Sequence, residues 1–544
     1  MKWHLAGVWD VVARTVPDAP AVIDEFTRRT WREFEDRSAR VAGAIAALGH
    51  GADAKIGVYA YNSNAFLEAY YGAFKRRAVP VNVNYRYTEG ELVYLLDNSD
   101  AEALIFDAQF GARVAAILPR LPGLKTLIEI DDGSGHHLEG AIPFEAAIAG
   151  HAPLPPQPYE EDDLFMIYTG GTTGMPKGVM SRQADRAING VMQAFTPLGL
   201  SRPATEEALA EGILKIRDAG QTRISLIACP LMHGTGLTGG AHNPQLGGGC
   251  AVTIRNEHFD PDALWRAVER EQVNHMAIVG DTFARPMLAA LEAAQAAGRP
   301  YDVSSLKAVF SAGVMFSREM KEGLLRHIDM TIHDVMAATE GGMGTSVVSR
   351  ATPPGETAKF TRNATTKVFD ENDREVQPGS DVIGMIANGG SAPVGYYKDP
   401  EKSARTFRVI DGHRYSFPGD YAKVAADGSL ILLGRGSNCI NTGGEKVFPE
   451  EVEEAIKAHP GVADCLVVGA PDERFGQRII AVLSPVDPAR PPGEADLLDF
   501  VRTRIAGYKT PRRLVIVEAV RRAPNGKADY GWASRAAAEA GATT

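Results

Sequence analysis

The first hundred residues alternate between apolar positions at helical spacing and short continuous apolar runs. The helical spacing predicts helices over 30–48, 64–74 and 89–98. Thr30 precedes the first of these and is expected to be its N-cap. The apolar runs predict strands over 55–60, 79–83 and 103–106. Because such alternation is typical of βαβ units, we predict an α/β fold on a largely parallel sheet.

The pattern is interrupted over 108–160, which we interpret as a surface excursion that ends in a Pro-rich connector. Apolar runs then predict strands over 164–167, 223–228 and 277–280, and strands that end in small residues within 308–313 and 331–340. Helices are predicted within 201–221 and over 261–271. The small, polar tail from Ala536 to Thr544 is expected to fray.

The stretch after the strand 164–167 combines residue types that bind phosphate. Its six consecutive glycines and threonines are Thr169, Gly170, Gly171, Thr172, Thr173 and Gly174. Pro176, Lys177 and Gly178 follow, so backbone N–H groups, hydroxyl donors and a positive charge occur together. We predict a polyphosphate-binding loop, for which a flexible Gly/Thr linker is the alternative. A P-loop kinase or GTPase is disfavoured, because the Walker A lysine precedes Ser or Thr and opens a helix.

A carboxylate follows the last of these predicted strands. Glu340 would repel bound phosphates unless it holds a Mg²⁺ ion between them, which is our functional interpretation. The alternative is a helix N-terminus, with Thr339 as the N-cap and Glu340 in the first turn. The small residues Ala312 and Gly313 end the preceding strand, where they either let adenine approach the backbone or form a tight turn.

Polar residues also surround an apparent hairpin in the C-terminal part. Asp420 and Arg435 flank it, so their side chains can converge on one ligand, although Asp420 also fits a plain turn. A carboxylate suits ribose hydroxyls, and an arginine suits hydroxyl or phosphate oxygens. Gly443 and Gly444 form either a loop that approaches a ligand closely or a simple turn before a helix that begins at Pro449.

His233 lies at a strand end before a Gly-rich turn, where it is either a catalytic base or a packed wall residue. We favour the packed wall residue. Asp281 is expected to cap the helix that follows it.

Composition narrows the class of protein. The 544 residues have 44% hydrophobic content, which is ample for more than one globular domain. A net charge of −11 argues against a nucleic-acid or anionic-membrane surface, so no nucleic-acid partner is predicted. The four cysteines have no metal-site or disulfide spacing, which favours free thiols in a reducing cytoplasm. No apolar run reaches the roughly 18 residues of a membrane span, so any membrane contact would be peripheral.

The motifs occur in the order found in adenylate-forming enzymes. The chain from Val8 to Tyr530 resembles an acyl-CoA synthetase of that superfamily. Three segments look most like those of actinobacterial steroid side-chain CoA ligases and their long-chain fatty-acyl relatives, namely 80–87, 168–174 and 280–286.

The resemblance implies a role for each matching residue. Thr172, Lys177, Glu340 and Lys527 would be catalytic, with Glu340 also holding the metal. Asp420 and Arg435 would hold the ribose, beside the phosphate loop over 169–177. Further nucleotide or CoA contacts are expected at Gly313, Asp334, Met336, Thr339, Gly443, Gly444 and Glu445. The acyl pocket is expected at His233, Gly234, Asp281, Ala312, Ala337 and Gly341. His233 would shape its wall rather than act as a base, because a carboxylate nucleophile is already ionised near neutral pH.

Small residues at or near the places where the resembled enzymes line this pocket would leave volume for a bulky apolar acid. The alternative is that they only serve tight turns and that methionines such as Met315, Met336 and Met343 fill the pocket. The small residues are Gly234, Gly236, Gly239, Gly240, Ala312, Ala337, Gly341 and Gly342.

The family's architecture and reaction follow from the same resemblance. It implies a large N-terminal domain over 1–436 with βαβ-built sheets, and a small mobile α+β domain over 437–544 that carries Lys527. A carboxylic acid, ATP and coenzyme A would give acyl-CoA, AMP and pyrophosphate through an acyl-adenylate, with Mg²⁺ required. The C-terminal domain is expected to rotate between the two half-reactions. A homodimer is compatible with the sequence.

Departures from the family pattern leave alternatives open. Met336 stands where an aromatic residue usually stacks on adenine, Ser437 where a hinge Asp or Lys is usual, and Pro418 where Thr is common. The acid is either a steroid side-chain carboxylate or a medium- or long-chain fatty acid. The alternative functions are acyl transfer to a carrier protein and a non-catalytic nucleotide-binding module. No carrier domain is evident, and the presence of Lys527 and Glu340 counts against the module.

Overall fold

The structure is a computed structural model. It describes residues 1–171, 174–255, 257–355, 358–442, 445–472, 475–522 and 526–542. The chain divides into two compact units. The first unit comprises 1–342, 346–357 and 391–408, and the second comprises 343–345, 358–390 and 409–544. The predicted boundary between 436 and 437 separates a domain expected to move, whereas these units are defined by compactness. That boundary therefore stays a prediction.

The helices alternate with strands through most of the chain. They are α1 (Leu5–Thr15), α2 (Trp31–Ala47), α3 (Asn64–Lys75), α4 (Glu89–Asn98), α5 (Gly111–Ile117), α6 (Phe144–Ala149), α7 (Gln183–Phe195), α8 (Glu206–Asp218), α9 (Asn243–Leu246), α10 (Pro261–Glu271), α11 (Gly280–Ala296), α12 (Arg318–His327), α13 (Pro400–Thr406), α14 (Pro449–Lys457), α15 (Glu494–Arg502) and α16 (Tyr530–Ala542). Over the described ranges, no helix has both the length and the apolar content needed to cross a membrane.

The strands of the first unit, some of which extend into the second, are β1 (Pro20–Ile23), β2 (Arg28–Thr30), β3 (Lys55–Tyr59), β4 (Val79–Asn82), β5 (Ala101–Asp107), β6 (Thr126–Ile130), β7 (Ile142–Pro143), β8 (Leu164–Gly171), β9 (Gly174–Arg182), β10 (Ile224–Ile227), β11 (Cys250–Thr253), β12 (His275–Ile278), β13 (Ala308–Ala312), β14 (Thr331–Ala338) and β15 (Gly341–Val348). The later strands are β16 (Lys359–Arg362), β17 (Thr366–Phe369), β18 (Gly384–Asn388), β19 (Gly395–Tyr396), β20 (Phe407–Ile410), β21 (His413–Ser416), β22 (Asp420–Val424), β23 (Leu430–Arg435), β24 (Ile440–Thr442), β25 (Glu445–Val447), β26 (Val462–Asp472), β27 (Gly476–Pro485) and β28 (Arg513–Ile516).

Parallel sheets dominate the first unit, as the alternating pattern predicts. One sheet has the order β4-β3-β5-β6-β7, and all of its pairings are parallel. A second has the order β2-β1-β11-β10-β12-β13-β14, in which only the β1–β2 pairing is antiparallel. The predicted α/β class is therefore confirmed.

Local signals at the helix N-termini account for several boundaries. Thr30 caps α2 as predicted, and its side chain forms a capping box with Glu33. Thr88 and Glu91 form the same motif at the start of α4. These side chains satisfy backbone N–H groups that have no partner within the helix.

The expected surface excursion over 108–160 is wrong in part. Strand β6 lies inside it and pairs with β5 along the parallel sheet, where Ile128 is buried. The short run 126–130 mixes polar and apolar residues, so its pattern does not distinguish a strand from a loop. The Pro-rich connector over 151–158 has no helix or strand, as predicted.

The second unit is mostly antiparallel. Strands β16, β23, β22 and β18 are neighbours in one sheet, and β17 pairs with β18. A further sheet has the order β25-β24-β27-β26, with β28 parallel to β27. The expectation that the tail frays from Ala536 is wrong as far as Ala542, because α16 continues to that residue, and Thr543 and Thr544 lie outside the described residues. Ala533 and Ala537 are buried on this helix, and this burial holds the tail in place.

Candidate active site

The described residues of the Gly/Thr stretch belong to two paired strands. Strands β8 and β9 pair antiparallel, with Thr169 opposite Lys177 and Gly171 opposite Gly174. Thr172 and Thr173, two of the predicted phosphate-binding residues, lie outside the described residues. The Tyr168 ring leaves no space for a side chain at Gly178, since a Cβ there would lie 2.8 Å from Cε2 of Tyr168.

A buried amide that the sequence reasoning missed holds this hairpin at its base. The Asn82 side chain accepts a hydrogen bond from the Tyr168 backbone N–H at 2.7 Å. It donates to the carbonyl oxygens of Tyr168 at 2.9 Å and Met232 at 2.7 Å. Asn82 thereby links the phosphate hairpin to the segment that carries His233. Its only sequence signal is an asparagine at the end of a buried strand, which is weak.

The hairpin places Lys177 in a group of charged residues around Tyr396. Strand β19 pairs with β9, with Tyr396 opposite Val179. Lys177 Nζ lies 5.9 Å from the centre of the Tyr396 ring and 3.7 Å from Asp399 Oδ2. Lys402 Nζ lies 5.3 Å from the centre of the same ring. Two ammonium groups therefore share one aromatic ring.

The predicted metal-binding carboxylate belongs to this group. Glu340 lies in the turn between β14 and β15, so the alternative of a helix N-terminus is wrong. The Tyr396 hydroxyl donates to Glu340 Oε1 at 2.6 Å. The described residues contain no cluster of three or more acidic, His or Cys side chains that could enclose a metal ion. Mg²⁺ is commonly held by one or two carboxylates together with substrate phosphates and water, so a single Glu340 fits it.

Lys402, which belongs to none of the sequence motifs, has the most shifted pKa of this group. Burial and the nearby Lys177 lower the pKa of the Lys402 ammonium to about 8, while Asp399 and Glu340 oppose that shift. Lys402 lies on α13, whose N-cap is Asp399. A lysine in a short polar helix carries no sequence signal of its own, because exposed lysines are common there.

The segment after His233 forms a π-helix over Thr235–His242 instead of the expected Gly-rich turn. Its glycines do not leave open volume. A Cβ would lie 2.5 Å from the Pro230 oxygen at Gly236 and 2.3 Å from the Phe310 ring at Gly239. At Gly240 it would lie 3.0 Å from Ala277 Cβ. The expectation that these three glycines enlarge the pocket is therefore wrong, because each permits close packing.

Other predicted pocket and adenine positions have more room. A Cβ at Gly234 would have no neighbour closer than Ile167 Cδ1 at 3.8 Å. Gly313 has a φ of +97°, which favours glycine, and its nearest neighbour would be Thr235 Oγ1 at 3.7 Å. Ala312 and Met336 are buried, and Ala337 is exposed. Gly341 has a φ of +150° in the strand that follows Glu340.

Two predicted site carboxylates are engaged by neighbouring elements. Asp281 does not cap its helix, because it lies within the first turn of α11 and accepts a hydrogen bond from the Ser317 N–H at 2.8 Å. Asp334 is buried and forms an ion pair with Lys321 at 2.7 Å. Burial raises the pKa of Asp334 to about 6. These contacts do not bring either carboxylate to the Glu340 group. Thr339 does lie there, and its carbonyl accepts from Arg186 at 3.4 Å.

In the second unit, the structure brings the predicted ribose residues together. Asp420 and Arg435 are directly opposite in the β22–β23 pairing, and the Arg435 Nε lies 3.2 Å from Asp420 Oδ1. Asp420 Oδ2 is buried and has no hydrogen-bond partner among the described residues. An unpaired buried carboxylate oxygen is costly, so a hydroxyl-bearing ligand such as ribose would complete this site.

The two C-terminal motifs belong to the second unit. Strands β24 and β25 pair antiparallel with Thr442 opposite Glu445, and Gly443 and Gly444 lie outside the described residues. Lys527 is exposed, as predicted. Arg522 donates to the carbonyl of its neighbour Gly526 at 3.3 Å. Arg522 is itself held by Asp464 through two contacts of 2.6 Å.

Family models and related proteins match nearly the whole chain. The AMP-binding enzyme family matches residues 9–397, and the AMP-binding enzyme C-terminal domain matches 451–527. A medium/long-chain-fatty-acid--CoA/3-oxocholest-4-en-26-oate--CoA ligase of Mycolicibacterium smegmatis is 41% identical, covering 98% of this chain and 96% of its own. A 3-oxocholest-4-en-26-oate--CoA ligase of Rhodococcus rhodochrous is 39% identical, covering 98% and 96%. The crystal structure of an anthranilate CoA ligase in complex with anthranoyl-AMP has the same fold, with a TM-score of 0.84 at 22% identity over 100% of this chain and 99% of its own.

Proposed function

The chain belongs to the AMP-binding enzyme family, within the adenylate-forming superfamily, and from this premise we propose that it is an AMP-forming acyl-CoA ligase. It would convert a carboxylic acid, ATP and coenzyme A to acyl-CoA, AMP and pyrophosphate. The observation that carries the proposal is the grouping of the phosphate-hairpin lysine, Tyr396 and Glu340 in a chain about two-fifths identical to named CoA ligases.

The first half-reaction joins two anions, so the residues of the site must offset negative charge. A carboxylate oxygen of the acid attacks the α-phosphorus of ATP, and the bond to the bridging oxygen of the β-phosphate breaks to release pyrophosphate. Lys177 would contact the phosphates, and Lys527 would approach the α-phosphate. Mg²⁺, which Glu340 would hold, further offsets phosphate charge when it is bound. No general base is needed, because the acid is ionised near neutral pH.

The second half-reaction releases AMP. The thiol sulfur of coenzyme A attacks the acyl carbonyl of the acyl-adenylate, the bond from that carbon to the phosphate oxygen breaks, and the thiol loses its proton. We assign the Gly443-Gly444-Glu445 turn to the path of the thiol, and we assign a rotation to residues 437–544 between the half-reactions. Asp420 and Arg435 would hold the ribose through both steps, which the unpaired Asp420 Oδ2 supports.

For the acid, we propose a medium- or long-chain fatty acid or a steroid side-chain carboxylate. The named activities of the relatives support both kinds of acid. A Cβ at Gly234 would have its nearest neighbour at 3.8 Å, which supports room for an apolar group, whereas the close packing of Gly236, Gly239 and Gly240 weakens the case for a bulky one. We also propose a cytoplasmic enzyme that uses Mg²⁺, and sedimentation would distinguish a monomer from a homodimer.

The test measures AMP release from ATP, Mg²⁺ and coenzyme A over a panel of acids. The panel contains medium and long fatty acids, aryl acids and steroids with side-chain carboxylates. We expect release with fatty or steroid acids and its loss in Lys527→Ala. Preference for one of these two groups identifies the substrate class. Absence of AMP with every acid, in a preparation that still binds ATP, would overturn the proposal.

A further inference from the structure

We propose that Lys402 is a second phosphate-binding residue, whose ammonium group contacts the β- or γ-phosphate of ATP together with Lys177. The inference rests on the proposed function, because it assigns a new residue to the nucleotide site of that reaction. It goes beyond the family motifs, none of which contains Lys402.

The ammonium groups of Lys177 and Lys402 lie beside one aromatic ring, that of Tyr396. Lys177 Nζ lies 5.9 Å from the centre of the Tyr396 ring, and Lys402 Nζ lies 5.3 Å from it. Both ammonium groups lie beside the same ring, and Lys177 acts electrostatically on Lys402, so the two like charges repel one another. An anion that contacts both ammonium groups would convert this repulsion into attraction.

The two carboxylates that act on Lys402, those of Asp399 and Glu340, also contact other groups. Asp399 accepts from the Lys402 backbone N–H through Oδ1, while its Oδ2 lies 3.7 Å from Lys177. Glu340 accepts from the Tyr396 hydroxyl. Within the described part of the chain, no carboxylate forms an ion pair with Lys402. Its charge is therefore available to a ligand at the position where the hairpin presents Lys177.

The backbone around Lys402 is fixed to the hairpin of β8 and β9. Ser403 Oγ accepts from the Tyr396 N–H at 2.8 Å and donates to the Asp399 carbonyl at 2.7 Å. Tyr396 in turn belongs to β19, which pairs with β9. Lys402 thus stands on a short helix attached to the phosphate hairpin, and not on an independent surface segment.

The titration behaviour of Lys402 agrees with this geometry. Burial and Lys177 lower its pKa to about 8, against the opposing influence of Asp399 and Glu340. The groups that face it are thus one cation, two carboxylates and the Tyr396 ring. An incoming phosphate would favour the charged form of Lys402, so binding of the anion and protonation would reinforce each other.

The experiment compares ATP with AMP in the full-length chain. ATP and AMP share the base, ribose and α-phosphate, so only ATP reports contacts to the β- and γ-phosphates. Isothermal titration of Lys402→Ala is expected to show ATP binding weakened roughly tenfold, the loss typical of one charge-assisted contact, with AMP binding unchanged. Lys402→Arg is expected to retain most of the ATP affinity because it keeps the positive charge.

A neighbouring lysine provides the matched control. Lys398 forms an ion pair with Asp100 at 2.7 Å and lies over the Tyr397 ring, and Lys398→Ala is expected to bind ATP as the wild type does. Unchanged ATP affinity in Lys402→Ala, or equal weakening of ATP and AMP, would overturn the inference. If Lys402→Ala does not fold in a thermal melt, loss of ATP affinity relative to AMP in Lys402→Gln serves instead, and its absence overturns the inference. Wild-type protein that binds ATP but activates no acid would instead contradict the proposed ligase function.

Discussion

At the scale of single residues, Tyr396 connects the parts of the proposed nucleotide site. Its ring lies beside the two ammonium groups, and its hydroxyl donates to Glu340. The aromatic face attracts cations, which partly offsets the repulsion between Lys177 and Lys402. Tyr396 therefore positions both the phosphate-binding charges and the carboxylate that would hold Mg²⁺.

Removing only the Tyr396 hydroxyl separates these two roles. Tyr396→Phe keeps the ring but leaves Glu340 Oε1 without its 2.6 Å donor, so the carboxylate is less well oriented. We expect pyrophosphate–ATP exchange in the presence of an acid to fall about tenfold, the usual effect of losing one hydrogen bond to a charged group. ATP affinity without Mg²⁺ should change little, because the ring remains.

Tyr397→Phe is the control for this substitution, because its hydroxyl donates to the exposed Asp100 at 2.7 Å. It removes the same group one residue along the chain. Full exchange activity in Tyr396→Phe, equal to that of Tyr397→Phe, would show that the Glu340 contact has no role in adenylation.

The pKa of Lys402 predicts a dependence of ATP use on pH. Lys402 is charged below about pH 8 and loses its proton above it, so kcat/KM for ATP in pyrophosphate exchange should fall as pH rises through 8. Coenzyme A is omitted, which keeps its thiol out of the profile. Lys402→Arg should abolish this decline up to pH 9, because the guanidinium keeps its charge. A decline of the same size in the arginine variant would assign it to another group.

At the residue scale, the pairing of Asp420 with Arg435 was predictable, because the local turn at Asp427, which the sequence displays, brings both residues together on one hairpin. A partner from a distant element was not predictable. Asp281 follows a buried strand and Asp334 lies within one, and Ser317 and Lys321 satisfy them. The sequence around a carboxylate does not tell whether its partner lies on the same hairpin or on a distant element.

At the scale of elements, the apolar patterns predict part of the strands and helices, among them β3, β4 and β5 and the helices α2, α3 and α4, but they do not predict the π-helix. The segment Thr235–His242 contains three glycines and has no helical periodicity to detect. Its conformation depends on close packing against the Pro230 carbonyl, Phe310 and Ala277, which are contacts made only in the folded chain. The hairpin register of the phosphate stretch was missed for a related reason, since glycines and Pro176 normally argue against a strand.

A pair of glycines tests whether packing or open space governs this segment. In Gly236→Ala, the new Cβ would lie 2.5 Å from the carbonyl oxygen of Pro230. That oxygen is a backbone atom, so it cannot easily move away. We expect the free energy of unfolding to fall by about 1–3 kcal/mol, the typical cost of overpacking, seen as a lower midpoint in thermal or urea denaturation.

Gly234→Ala makes the same chemical change two residues earlier, where the nearest atom would be 3.8 Å away. Its stability should match that of the wild type. If Gly234→Ala destabilises the protein as much as Gly236→Ala does, the difference in local space is not the governing factor.

At the scale of the whole molecule, the order of α and β elements was predictable and the division into compact units was not. The parallel sheets follow from alternation along the sequence. The second unit, however, gathers 358–390 with 409–544 while 391–408 belongs to the first. Such a division depends on contacts between segments far apart in the chain, whereas the predicted boundary at 437 follows from the family's mobile domain.

The proposed mobility of residues 437–544 leads to a prediction about the two half-reactions. Lys527 is expected to act only when it reaches the α-phosphate, so Lys527→Ala should lower the rate of acyl-adenylate formation about a hundredfold, for a lost interaction of roughly 3 kcal/mol. Thioester formation from a preformed acyl-adenylate and coenzyme A should be nearly unchanged, because the lysine is then turned away. The two rates are measured separately by pyrophosphate release and by acyl-CoA formation. Arg521→Ala removes another exposed cation near the same turn and should affect neither rate. Equal losses in both half-reactions of Lys527→Ala would exclude a lysine that serves only the first, and with it the alternation of the C-terminal domain between two poses.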